Sequence, residues 1–375
     1  MVTTPVRSEP QVRAPKSARR TAAIVDCDVH TYWPSAEIND RYLPERWRRH
    51  RQQFGGNSYT GGGYPRRMPY ASRQDSWPPG GGAPGSDRAF MAQQHMDPYG
   101  VDRVVLTPNG GPGGERNGEY ALALAGAVND WITDEWLDRD DRLRSSIIVP
   151  YEHPQLAVKE IDRVAGDGRF VQVYLNIISN RPLGNRQYWP IYAAAVDHGL
   201  PVGIHFGGNG GNPRTAAGWP SFYLEDHVGN AQTFQQQVTS LVCEGVFEQF
   251  PELRIVLIEG GVAWLPPLAW RLDRTVARYR DEVAHLRRSP SEYISDHIWL
   301  TTQPIEEPAE PAALRRMVES LPGLENHLLY SSDYPHWDYD SPDIALRKAR
   351  FTPEVEAKIM YANAAALYGI ELPAA

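Results

Sequence analysis

Three polar side chains alternate in the stretch VDCDVH: Asp26, Asp28 and His30. In an extended strand, alternation by two sends all three to one face. Two carboxylates side by side inside a fold require a compensating cation. The same residue types recur far along the chain, with His205 in IHFGG, Glu259 in IEGG and Asp333 in SSDYPHWD. Each is a polar residue in an otherwise apolar run and is followed by Gly, Pro or aromatic residues. Carboxylates and imidazoles are ligands of divalent metals, so the chemistry on offer is metal chemistry.

Such residues must be brought together by the elements that carry them. Eight short apolar, β-branched runs read as strands: 22–30, 102–108, 143–150, 169–177, 200–208, 253–261, 297–304 and 327–335. Amphipathic stretches long enough for crossover helices lie between most of them, for example GEYALALAGAVNDWITDEWL and HPQLAVKEIDRVAG. Strands alternating with helices predict parallel βαβ units, and eight such units predict an α/β fold of the (β/α)8 TIM-barrel type. Chemistry in that fold sits at the C-terminal strand ends. Asp26, Asp28 and His30 end the first strand, His205 the fifth, Glu259 the sixth and Asp333 the eighth.

Other polar residues point to the same mouth. Asn176 ends the fourth strand, and Thr302 and Gln303 end the seventh, all three as polar wall. His336, three residues beyond Asp333, either holds a ligand by a hydrogen bond or packs a loop. His227, Trp264, Trp219 and Trp337 are pocket-lining candidates, with core packing as the other reading for the tryptophans. His50, His95, His153, His198, His285, His297 and His327 read as surface or element-terminal residues.

The chain has 375 residues, 41% of them apolar, and a formal charge of −8. The mild acidity argues against a nucleic-acid partner, because phosphate binding needs a basic face. Cys27 and Cys243 are the only cysteines, which gives no disulfide framework and implies a cytoplasmic setting. No membrane span is expected, because no apolar run reaches 18 residues. Residues 1–21 are rich in Pro, Arg and Thr and read as a disordered tail, leaving 22–375 as a single barrel. A Gly/Pro-rich insertion at about 51–90 leaves the end of the first strand and reads as a lid. Its Arg66, Arg67 and Arg73 either clasp an anionic substrate or are solvated loop charges. No Gly-rich stretch reads as a dinucleotide loop.

The motifs Asp26-x-Asp28-x-His30, IHFGG, IEGG and SSDYPHWD, with the terminal IMYANAAALYGI, resemble the amidohydrolase-related family over about residues 22–370. That family includes aminocarboxymuconate semialdehyde decarboxylase and the resorcylate-type decarboxylases. The resemblance implies one metal held by Asp28, His30, His205 and Asp333. Two departures stand out: Asp28 replaces the first His of the family's H-x-H, and Glu259 replaces the His of its HGG motif. Both exchange an imidazole for an anion and shift preference from zinc towards harder metals.

Asp26, Asp28, Glu259 and Asp333 with His30 and His205 make four carboxylates and two imidazoles, the ligand set of di-iron carboxylate proteins. In this the chain is similar to the non-haem di-iron monooxygenase type of platensimycin and platencin biosynthesis. The expectation is therefore two irons per chain and hydroxylation of an apolar acid or coenzyme A thioester in secondary metabolism, with a separate electron donor. The alternative is one Zn or Mn and a decarboxylase or hydrolase in which Glu259 moves the proton. A non-catalytic binding barrel is a third reading. A homodimer is expected from the resemblance alone.

Overall fold

The computed structural model describes residues 23–54, 69–208, 213 and 215–371. All eight expected strands form: β1 (Val25–Thr31), β2 (Arg103–Pro108), β3 (Leu143–Ile148), β4 (Phe170–Asn176), β5 (Val202–His205), β6 (Ile255–Ile258), β7 (Ile298–Thr301) and β8 (Leu328–Leu329). They form one sheet in sequence order, each neighbouring pair parallel. The barrel closes where the chain after β8 returns to β1, with Cys27 N–H donating to the Tyr330 carbonyl at 2.9 Å and His30 N–H to that of Tyr334 at 2.7 Å. This is a (β/α)8 barrel.

Helices cover the outside because their apolar residues recur at helical spacing. In the helix Gly118–Ile132, Ala121, Ala125, Val128 and Ile132 are buried, and Asn117 caps its start by accepting the Tyr120 N–H. Inside the barrel, early strand residues such as Val25, Val105, Val171 and Val256 pack with Leu367 and Tyr368 of the terminal helix Asn363–Tyr368. The terminal helix therefore plugs one end, and the polar residues collect at the other.

Two local features position the site. First, β1 carries a register shift against β2, with Asp26 paired to Val104 but Val29 to Leu106. Three steps on one strand face two on the other, the signature of a β-bulge, which re-aims side chains. Second, the carboxylates at the ends of β6 and β8 leave regular geometry, with φ +65° at Glu259 and +56° at Asp333. Such left-handed conformations are rare outside Gly and cluster at functional sites.

The expected lid is only partly described. The helix Glu45–Phe54 leads into it, residues 55–68 with Arg66 and Arg67 lie outside the described residues, and short turns at Pro69–Ala71 and Gln74–Ser76 follow. This arm lies against the loop after β8: Arg73 N–H donates to the Pro335 carbonyl at 3.0 Å, and Ser72 bridges His336. Arg73 is engaged by Asp75 in a two-point contact at 2.6 and 2.9 Å. No helix among the described residues is long and apolar enough to cross a membrane.

Candidate metal centre

Asp28, His30, His205, Glu259 and Asp333 meet at the strand ends, all buried. Register explains part of the convergence. Asn176 on β4 pairs with His205, and His205 with Ile258, which leads directly into Glu259. His205 Nε2 lies 3.4 Å from both Asp28 Oδ2 and Glu259 Oε2. His30 Nε2 lies 3.1 Å from Asp333 Oδ1 and 3.6 Å from Asp28 Oδ1.

Both imidazoles are turned the same way. His30 Nδ1 faces the Thr107 carbonyl at 3.1 Å and the Asn109 side-chain amide at 2.8 Å, and His205 Nδ1 faces the Phe206 carbonyl. A backbone carbonyl fixes the Nδ1–H tautomer and leaves the Nε2 lone pair directed inward, the usual arrangement of a metal-ligating histidine. Asp28 Oδ2, His30 Nε2, His205 Nε2 and Asp333 Oδ2 are buried atoms without a hydrogen-bond partner. Buried atoms of this kind, spread over two adjoining groups that share His30, are costly unless an ion satisfies them. The residues present fit a divalent cation.

Ligand-capable atoms fall into two overlapping groups, each with its atoms within 4.8 Å of one another: Asp28, His30, His205 and Glu259, and His30, Glu259, Asp333 and His336. His336 Nδ1 is 2.7 Å from Asp333 Oδ1, and its Nε2 is 3.1 Å from the Tyr32 hydroxyl.

The electrostatics agree. Burial pushes the Asp28 carboxyl up, but His30 and His205 outweigh it and bring it down to about 2. Burial lowers His205, but Asp28 and Glu259 outweigh it and raise it to about 9. Burial, then Glu259 and Asp338, hold Asp333 well above the carboxylate range, and burial holds His30 low despite Asp28. Without an ion, His205 supplies the positive charge that keeps Asp28 ionised; a bound cation would take over that part and free the His205 Nε2 as a ligand.

Asp26, expected in the ring, stands outside both groups. Its Oδ1 accepts the N–H of Asp28 at 3.1 Å and of Ser332 at 3.0 Å, and its Oδ2 takes His95 Nε2 at 2.7 Å. The bulge in β1 breaks the alternation on which the single-face expectation rested. Asn176 Oδ1 accepts the Tyr174 hydroxyl at 3.3 Å beside His205, whose ring lies 5.5 Å from that of Tyr174. Gln303 is buried and donates to the Asp338 carbonyl at 2.9 Å. His227 bonds Asp338 at 2.9 Å, tying the 223–228 helix to the loop after β8. Trp264 props the Glu259 turn from behind, its indole N–H on the Gly260 carbonyl at 2.7 Å and its ring stacked on Phe234. Trp219 and Trp337 are exposed on the rim.

Sequence reasoning missed three supporting residues. His95, read as a surface or element-terminal residue, is wholly buried against Asp26. Thr107 donates its hydroxyl to Asp28. Glu306 accepts the N–H groups of Val262 and Ala263, each at 2.9 Å, and so pins the turn that carries Glu259. Only the polar character of Thr107 at a strand end could have signalled its part; the others act across long sequence gaps.

The amidohydrolase family model matches residues 25–370. The chain belongs to the amidohydrolase family. Among its relatives is the gamma-resorcylate decarboxylase of Polaromonas sp. strain JS666, 23% identical over 291 residues, which cover 73% of this chain and 85% of the relative. An amidohydrolase from Mycobacterium avium subsp. paratuberculosis K-10 superposes with a TM-score of 0.72 at 23% identity, over 93% of this chain and 100% of the other. The 5-carboxyvanillate decarboxylase of Novosphingobium aromaticivorans, complexed with manganese and 4-hydroxy-3-methoxy-5-nitrobenzoic acid, gives 0.69 at 19% identity, over 97% and 100%. This amidohydrolase is thus a metal-dependent barrel enzyme by family, and the relatives named for an activity are decarboxylases rather than oxygenases.

Proposed function

We propose that this amidohydrolase uses one divalent metal to decarboxylate a small organic acid. The observation that carries the reading is that Asp28 Oδ2, His30 Nε2, His205 Nε2 and Asp333 Oδ2, on residues gathered at the strand ends, are all buried and unsatisfied. The decarboxylase relatives support it, and manganese in one of them fits a set of two carboxylates and two imidazoles. When bound, the metal supplies Lewis acidity at a substrate oxygen. Asp28, His30, His205 and Asp333 would hold it. Glu259, 3.4 Å from His205, in its acid form delivers a proton to the carbon that loses carbon dioxide. The carbon–carbon bond breaks, its electron pair stays on the substrate carbon, and that carbon takes the Glu259 proton, which solvent replaces. The test is metal content with carbon dioxide release from hydroxybenzoates. About one manganese or zinc per chain with release supports the reading; a loaded enzyme inert on every such acid overturns it.

A second reading is favoured by one observation: the ligand atoms form two groups that share His30 and Glu259. Asp28, Glu259 and Asp333, when all ionised, leave one divalent ion at net −1, a charge that favours a second cation. Two irons would supply oxygen activation, and the reaction would be hydroxylation with electrons from a separate donor. About two irons per chain and oxygen uptake with a reductant would replace the first reading with this one.

A further inference from the structure

We infer that His95 is a positioning residue for the metal centre, acting through Asp26 with Tyr339 fixing its tautomer. The inference rests on the metal reading above, with one metal or two. Asp26 is buried and staples two ligand-bearing segments together. Its Oδ1 accepts the N–H of Asp28 itself and of Ser332, the residue before Asp333. The Asp333 N–H in turn donates to the Asp28 carbonyl at 3.1 Å. The separation of the Asp28 and Asp333 carboxylates is therefore set by where Asp26 sits.

Asp26 is held in place by His95. The His95 ring is wholly buried, stacked on Tyr334 at 5.7 Å and edge-on to Tyr339 at 5.6 Å. Its Nε2–H donates to Asp26 Oδ2 at 2.7 Å, and its Nδ1 lies 3.0 Å from the Tyr339 hydroxyl. A neutral imidazole has one N–H. With that hydrogen on Asp26, Nδ1 accepts from Tyr339, and the hydroxyl locks the tautomer. His95 sits in a π-turn, Ala92–Met96, a distortion of helix frequent at functional sites. Arg73 caps the chain, its guanidinium 4.4 Å from the Tyr339 ring centre. His95 belongs to neither ligand group, and its hydrogen bond reaches them through Asp26.

Partners of this kind tune metal affinity by roughly 10–100-fold. The experiment measures Mn²⁺ affinity of the full chain by chelator competition, with the Mn²⁺ electron paramagnetic resonance spectrum as a reading of ligand geometry. His95→Leu removes the donor at similar volume; His95→Gln keeps a donor. The expected result is a tenfold or greater loss for His95→Leu with an altered spectrum, and affinity within about threefold of wild type for His95→Gln. A folded His95→Leu with wild-type affinity and spectrum overturns the proposal. If His95→Leu does not fold, Tyr339→Phe decides: a loss of about threefold or more supports the tautomer lock, and unchanged affinity overturns it. Failure of the metal reading is visible separately, as a wild-type chain that binds no divalent ion.

Discussion

Two of the buried polar clusters on this barrel differ in one respect. On the outer wall, Glu160 is buried with its Oε1 accepting from Asn129 and Arg163, each at 2.7 Å, and its Oε2 from Arg163 at 2.9 Å. Asn129 is completed by the backbone of Ile148 on both its donor and its acceptor side. Every polar atom there has its partner. In the strand-end ring, by contrast, Asp28, His30, His205 and Asp333 each keep one atom unsatisfied. A saturated cluster secures the fold, whereas an unsaturated one lowers the stability of the protein alone and reserves its capacity for a ligand.

The largest expected effect breaks the ring. Asp333→Asn keeps shape, and Asn tolerates the left-handed backbone at this position. Losing a ligand should lower turnover on the order of a thousandfold, about 4 kcal/mol of metal stabilisation. The sign for stability is opposite. The folded protein holds the Asp333 carboxyl above its ordinary value through burial and the neighbouring Glu259. Its ionisation therefore costs stability as pH rises past the usual carboxylate value, and removing it should leave the melting temperature in chelator unchanged or higher at pH 7. A lower melting temperature in chelator would show that the ring is structural.

Glu259→Gln sharpens the same contrast inside the ring. Under the one-metal reading, metal content holds while turnover falls by roughly 10²–10⁴. Under the two-metal reading, content falls from about two ions per chain towards one. Elemental analysis of the variant beside its activity separates the two.

The outer cluster gives a smaller and inverted effect. Glu160→Gln leaves Arg163 and Asn129 short of acceptors, and Arg163 is about half exposed, so the loss should be about 1–3 kcal/mol. Metal affinity should not move. A chemical-denaturation curve and a metal titration on one preparation test both halves.

These contrasts also show what was legible in the sequence. The strands were, because runs such as RFVQVYLNI have few other ways to bury their apolar residues. The eighth proved short, ending at Leu329, and Asp333 beyond it takes a left-handed conformation. Asp28, His30, His205, Glu259 and Asp333 were legible as polar residues ending apolar strands. Whether Asp26 holds a metal or orients a neighbouring ligand was not legible, since a one-residue bulge leaves no mark in composition. His95 was invisible, because its partner lies 69 residues away and nothing near it in sequence announces a buried donor.

The smallest effect separates the two ends of the barrel. His297 and His327 lie at the strand-start end, far along β7 and β8 from the ligands. His297 stacks on Phe247 at 4.5 Å and bonds the Leu253 carbonyl, and His327 stacks on Trp299 at 4.2 Å. Burial pulls both imidazoles below their ordinary value. The unfolded chain then binds protons more readily than the folded one, so stability is full above the ordinary histidine range and declines as pH falls through it. His297→Gln keeps a donor for the Leu253 carbonyl and cannot titrate. It should flatten the fall in melting temperature between about pH 7 and 5 while metal affinity at pH 7 stays at the wild-type value. If the acid slope is unchanged, the loss of stability comes from groups other than His297, and the strand-start end is less sensitive to protons than its buried ring implies.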